Sequence, residues 1–433
     1  MLVLVVLGPF VADVTANGAS RAALTAALVE HHSVDISPYG RVLGVDKAIV
    51  GGRLRSDKAP GQPLLAVPAY ALERAVGAES YLRPRVTGNL TVWWLTLTTS
   101  VLPFALLCAL VFCWLFDHDP AGAFGATMAL AGGTLFLAFA PQLYGHSLAA
   151  LCAFGAWMVV RRAAPSPSRA ALAGFLAGAA VLVEYQAALA ALAVLGWVVV
   201  RHRVRIRSFV VGALPPAIAF GAYHWVAFGA PWRLPYAYFA PDLARRGVAG
   251  GGVGAAGLHS AAEALVGRHG LVTIAPLVVV ALWSVARRAR DEAPALRREA
   301  RFGAAVAAAF IAFAAMWSGS LDLEVPGPRY VIPGLAFLGG AVLVARRAAP
   351  LVVAVTAAFG AVTGLLGVVT PHLVSVGTVP MVEYLRQLRS GQTIPTVWTM
   401  AFGTVLGWSV YAASVVVAAV WVRRRVQIAV TAA

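Results

Sequence analysis

Ser56-Asp57-Lys58-Ala59-Pro60-Gly61 sets a carboxylate beside a lysine, ahead of a Pro-Gly turn and the amphipathic stretch Leu64 to Val76. That order holds an ammonium at a membrane surface while the next helix anchors in it. A fixed cation at headgroup depth suits a phosphate. A neighbouring carboxylate suits removal of a hydroxyl proton. The same piece also reads as a solvated turn before an interfacial helix, and composition alone does not separate the two.

The elements that must position these groups are set by composition. The chain has 433 residues, 60% of them hydrophobic and 12% charged. Soluble domains carry roughly 25% charged residues, so most of this surface must meet lipid. The formal charge of +16 comes mainly from arginines in short clusters between apolar runs, which is how membrane orientation is encoded. Nucleic-acid binding needs a continuous basic face and is set aside. The only lysines are Lys47 and Lys58, and the Ala, Val, Gly and Arg bias fits a GC-rich bacterial genome.

Apolar spans are expected at 90–116, 121–141, 145–160, 169–184, 186–200, 208–228, 270–286, 302–317, 331–345, 349–370 and 398–422. Met1 to Ala12 is apolar but shorter than the roughly 20 residues of a crossing. It lacks a signal-peptide leader and reads as the remnant of a first helix. The expectation is therefore a single all-α membrane domain over 1–433 with about twelve transmembrane helices. Residues 13–88 form a long extracytoplasmic first loop, with interfacial helices at Ser20–Val29 and Leu64–Val76. A second large outer loop covers 229–269, and its run Gly247 to Gly257 reads as flexible.

With both termini in the cytoplasm, Arg161-Arg162, Arg201 to Arg207, Arg287 to Arg301, Arg346-Arg347 and Arg423 to Arg425 all fall inside. That is the segregation the positive-inside rule requires. The remaining polar residues then gather outside. An outward face has little ATP, so a transfer reaction there needs an activated substrate delivered through the lipid, and a lipid-linked sugar meets that need.

Several of these residues also have plain structural readings. His146 reads as an interfacial histidine, Glu184 as a packing group at a helix end, and His224 as a helix contact. Arg329 reads as a snorkelling side chain, and Trp232, Tyr236 and Tyr238 as an aromatic belt. Cys108, Cys113 and Cys152 sit in apolar runs and read as small packing residues. No His or Cys spacing points to a metal site of side chains alone.

Ser20-Arg21, Val34-Asp35-Ile36, Asp46-Lys47-Ala48, the run SDKAPGQPLLAVPAYAL from Ser56, Tyr144-Gly145-His146-Ser147, Tyr223 to Tyr236 and Gly327-Pro328-Arg329-Tyr330 carry a resemblance. Together they resemble bacterial GT-C type glycosyltransferase-like membrane proteins. Lipid A aminoarabinose transferases and protein mannosyltransferases are similar more remotely. The resemblance implies a GT-C-like bundle and inverting transfer of a sugar from a polyprenyl-phosphate-linked donor. The acceptor would be a cell-envelope glycan or lipid outside the bacterial cytoplasmic membrane. It implies phosphate-binding roles for Lys58 and Arg329, with Arg21, His146 and Tyr330 among the substrate-binding positions. For the carboxylate base it leaves Asp46, Asp13 at the junction Ala12-Asp13-Val14-Thr15, and Asp57. No cofactor is implied beyond a divalent cation arriving with the phosphate. A multi-helix transporter or lipid flippase, and a catalytically inactive relative, are the alternatives.

Overall fold

The computed structural model describes residues 1–77, 88–162, 165–239, 258–317, 325–375 and 377–432. The run Gly247 to Gly257 and much of the loop 229–269 lie outside them. Among the described residues, six helices are long and apolar enough to cross a membrane, or seven if one bent pair is a single span. Three further apolar helices, His146–Val160, Pro167–Val183 and Tyr185–Arg201, are shorter, so length alone does not reach the expected twelve.

The first element, α1 (Leu2–Leu7), is six residues long. It is followed by α2 (Ala16–Glu30), a hairpin of β1 (Ala48–Val50) and β2 (Arg53–Arg55), and α3 (Gly61–Ala75). The first crossing is α4 (Leu90–Phe116). Then come α5 (Pro120–Gly132), α6 (His146–Val160), α7 (Pro167–Val183) and α8 (Ala188–Arg201). After α9 (Ile206–Phe228), α10 (Ala261–Ile274) and α11 (Leu277–Asp291) meet at 93°. The last crossings are α12 (Pro294–Met316), α13 (Arg329–Ala348) and α14 (Pro350–Val369), followed by the short α15 (Pro380–Arg389) and by α16 (Thr404–Ala432).

The shortfall has a physical cause. The run 121–141 breaks at Gly133, so α5 holds only 13 residues. The 15 residues of α6 rise roughly 22 Å, short of a hydrocarbon core of about 30 Å. A helix enclosed by others need not match the lipid thickness, and most of α6 is buried. By contrast α16 is exposed along nearly its whole length, and its 29 residues run past a full crossing. The Tyr411 hydroxyl on α16 donates to the Val6 carbonyl at 2.9 Å, which ties α1 to it.

The helices approach closely where side chains are small. Gly174 and Gly178 on α7 stand four apart and face α9. A Cβ on Gly174 would lie 1.8 Å from the Phe209 carbonyl oxygen, so glycine is what lets the two backbones touch.

Two features of the first loop differ from expectation. Ser20–Val29 was read as an interfacial helix, but α2 buries every residue from Asn17 to Ala27. Its apolar side packs with Tyr39, Tyr70 and Phe228, and its polar side meets α3 and the loop before it. The all-α expectation also missed the β1–β2 hairpin, whose strands are three residues each. α3 keeps an outward row at Leu64, Leu65 and Leu72, as an interfacial helix should.

One end of the bundle is fastened by an ionic knot. Glu299 on α12 accepts from the Trp114 indole at 2.6 Å and lies 3.0 Å from His118 Nε2 and 3.2 Å from Arg161. Arg161 and Arg162 also pair with Asp117, and Arg347 with Asp119 and Glu292. The residues of interest in the first loop collect at the other end of α6.

Candidate active site

Five segments converge at that end: α2, the loop 44–58, the turn 142–146, the α7–α8 junction at 184–186 and the start of α13 at Arg329. Local chemistry shapes each one. The Ser56 hydroxyl accepts from the Lys58 amide at 3.2 Å, closing a tight turn. Pro60 then opens α3 with its carbonyl accepting from Leu64 at 2.9 Å. The Gln62 amide donates to Thr99 at 3.1 Å, Ser100 at 2.9 Å and the Tyr144 carbonyl at 3.1 Å. Thr99 and Ser100 lie in a π-helical turn of α4, a distortion that presents extra polar groups inward.

Lys58 sits between two carboxylates, 2.9 Å from Asp57 and 3.1 Å from Asp46. The Ser20 hydroxyl donates to Asp57 at 3.2 Å and lies 3.0 Å from the Ser56 hydroxyl. Burial pushes the Asp57 carboxyl above its usual range and the Asp46 charge adds to this, against the pull of Lys58. Burial also works against the Lys58 ammonium, but Asp46 and Asp57 outweigh it and hold it protonated well above the ordinary lysine range. The Arg329 guanidinium lies within electrostatic reach of Lys58 and opposes that protonation. The chain therefore brings together two cations that are 271 positions apart in sequence.

A second buried pair stands beside the first. Arg21 donates to Glu184 at 2.6 Å and to Asn17 at 2.9 Å. Gln186 supports Glu184 at 3.3 Å. His146 Nδ1 is 3.6 Å from Glu184, and the charges around that ring are Glu184, Arg329, Arg21 and Lys58. Gly145 allows the approach: a Cβ there would meet Glu184 at 2.6 Å. Arg329 lies over the rings of Tyr144 and Tyr330, 5.6 and 5.3 Å from their centroids, an arrangement favourable to its charge. His146 stacks on Tyr144 with centroids 5.5 Å apart.

Asp46, Asp57, Lys58, Arg329, Arg21, His146 and Tyr330 thus form one neighbourhood. Asp13 is half-buried in the extended lead into α2, one helical turn ahead of Asn17.

Four contributors were given no site role from sequence. Glu184 was read as packing, yet it holds Arg21. Tyr236, read as part of an aromatic belt, is half-buried with its ring against Tyr185 at 5.9 Å and Trp317 at 5.4 Å. Burial and the neighbouring Tyr330, Glu184 and Asp57 oxygens raise its hydroxyl well above the usual range. Ser20 was quoted only as part of the resemblance, and His372 carried no local signal. His372 packs edge-on to Phe139 at 4.9 Å, and burial together with Arg329 pushes its imidazole down to about 3.

Among the described residues, neither ring nitrogen of His146 or of His372 has a hydrogen-bond partner, and the same holds for Arg21 Nη1 and Gln62 Oε1. Buried polar groups are normally satisfied, so these mark where water or a polar ligand fits. No group of three or more His, Cys, Asp or Glu suited to a metal ion occurs among the described residues. Two cations, several carboxylates and unsatisfied donors beside an apolar helix can bind a phosphate, accept a proton and hold hydroxyl groups.

No protein-family model matches the chain, and no curated protein matches it. Among solved structures the chain is similar to ArnT from Cupriavidus metallidurans bound to undecaprenyl phosphate, at 16% identity and a TM-score of 0.49, over 80% of this chain and 58% of that one.

Proposed function

We propose that the chain is a membrane glycosyltransferase. It takes a sugar from a polyprenyl-phosphate-linked donor and passes it to a cell-envelope glycan or lipid on the outer face of the bacterial cytoplasmic membrane. The observation that supports this reading is Lys58 held between Asp46 and Asp57, with Arg329 over Tyr144 and Tyr330 in the same group of residues and the exposed leucines of α3 following Lys58 in sequence. The donor's prenyl chain stays in the lipid, its phosphate reaches Lys58 and Arg329, and the sugar lies toward Arg21, Glu184, His146 and Tyr330.

Transfer needs the acceptor oxygen to bond to the anomeric carbon as the carbon–phosphate oxygen bond breaks. The proton goes to a carboxylate and the charge that develops on the departing polyprenyl phosphate is held by the two cations. Asp57 is favoured as base because it is buried between Lys58 at 2.9 Å and the Ser20 hydroxyl at 3.2 Å, and burial raises its carboxyl above the usual range. Asp46 is next, and Asp13 third. The transporter alternative has less support: the buried ion pairs of Arg21 with Glu184 and of Lys58 with Asp46 and Asp57 lie toward the His146 end of α6 and those of Arg161 with Asp117 and Glu299 at its Val160 end, whereas transporters carry such groups near the midplane.

Purified protein incubated with radiolabelled polyprenyl-phosphate sugars and envelope acceptors tests the reading, with Asp57→Asn, Asp46→Asn and Asp13→Asn in parallel. Transfer by the parent protein and its loss in at least one variant is expected. Full transfer by all three variants removes the carboxylate mechanism, and no transfer with any donor removes the enzyme.

A further inference from the structure

The end of α6 remote from the candidate site carries a second basic feature that the transfer reaction does not use. A cavity of about 410 Å3 opens there between α4, α6 and α7. Arg161, Arg162 and Arg169 line its polar rim, and Met158, Val159 and Leu172 line its wall. The wall runs onto the exposed apolar side of the bundle, where Leu106, Leu172 and Phe175 are also uncovered. A site built this way joins a charged rim to an apolar wall.

The charge count is specific. Glu299 meets Arg161 from inside the bundle at 3.2 Å, so that arginine is already balanced. Asp117 pairs with Arg161 and Arg162 and cancels one further positive charge. Arg169 has no ion pair among the described residues, and its backbone is held by Ser166 capping at 3.2 Å. One positive charge is left over at the rim. A phosphodiester monoanion neutralises it, and acyl chains cover Met158, Val159 and Leu172.

We infer that the cavity between α4, α6 and α7 is a binding site for one anionic phospholipid, its phosphodiester held by Arg162 and Arg169 and its chains lying on the α6–α7 wall. Basic pockets between transmembrane helices recognise such headgroups, and Arg matches phosphate geometry better than a point charge does. Arg161 is locked to Glu299 and positions α6 against α12 rather than holding the lipid.

Native mass spectrometry of the detergent-purified full chain, titrated with phosphatidylglycerol or phosphatidylcholine, tests this. The parent protein is expected to retain one phosphatidylglycerol selectively. Arg162→Gln with Arg169→Gln should weaken that retention roughly thirtyfold, about fivefold for each arginine. Asp117→Asn, which removes the carboxylate that competes with the phosphate, should strengthen it. Arg424→Gln with Arg425→Gln, outside the cavity lining, should leave it unchanged, which excludes a general basic-surface effect. Equal retention by the Arg162/Arg169 variant at an unchanged melting temperature overturns the site. So does equal retention of phosphatidylcholine, or displacement of the lipid by millimolar inorganic phosphate, which would mark a site for a soluble anion.

Discussion

Replacing Lys58 by Met removes the ammonium from between Asp46 and Asp57 and separates two consequences. The first concerns the donor. A charge-assisted contact to phosphate is worth about 1.5–3 kcal/mol, so affinity for a polyprenyl phosphate should fall roughly 10- to 150-fold. The second concerns the fold. The two carboxylate oxygens lie at 2.9 and 3.1 Å from the lost nitrogen, and are therefore at most about 6 Å from each other. Two unit charges at that distance repel by roughly 3 kcal/mol at an effective dielectric of about 20, so Lys58→Met should also melt earlier or bind an extra proton. Adding Asp46→Asn removes one of the two charges. The double variant should recover most of the melting temperature but not the affinity for a polyprenyl phosphate. Isothermal titration in detergent, paired with thermal melting of each variant, reads both quantities. If folded Lys58→Met binds within twofold of the parent, or if Asp46→Asn restores its binding, Lys58 does not hold the phosphate.

Other perturbations have defined outcomes. Glu184→Gln leaves the buried Arg21 guanidinium uncompensated and should cost about 3–5 kcal/mol of stability, read as an earlier thermal melt; an unchanged melt means the pair at 2.6 Å contributes nothing net. Because Asp57 must be unprotonated to act as base and burial raises its carboxyl above 3.8, the transfer rate should rise with pH along an acid limb above pH 4. A flat rate from pH 4 to 7 argues against Asp57 as base. Gly174→Ala places a methyl 1.8 Å from the Phe209 carbonyl oxygen, so α7 and α9 must part, at a cost of about 1–3 kcal/mol; a melting temperature equal to the parent's refutes that close approach.

Some of this was readable from residue order. The membrane class followed from charge content, because few charged residues cannot cover a soluble surface. Lys58 and Arg329 stood out because a cation beside Pro and an apolar run lies at a membrane boundary in any packing of the helices. The α3 segment was legible because its leucine spacing is local. What sequence could not show was pairing at a distance. Glu184 and Arg21 are 163 residues apart, and nothing near Glu184 distinguishes a packing group from an ion-pair partner. Tyr236 resembles any aromatic residue at an interface until Tyr185 and Trp317 close over it. The number of spans is not legible in sequence for a related reason. Apolar periodicity reports that a helix avoids water, whereas its length is set by whether lipid or other helices surround it, and only the tertiary structure decides that for α5 and α6.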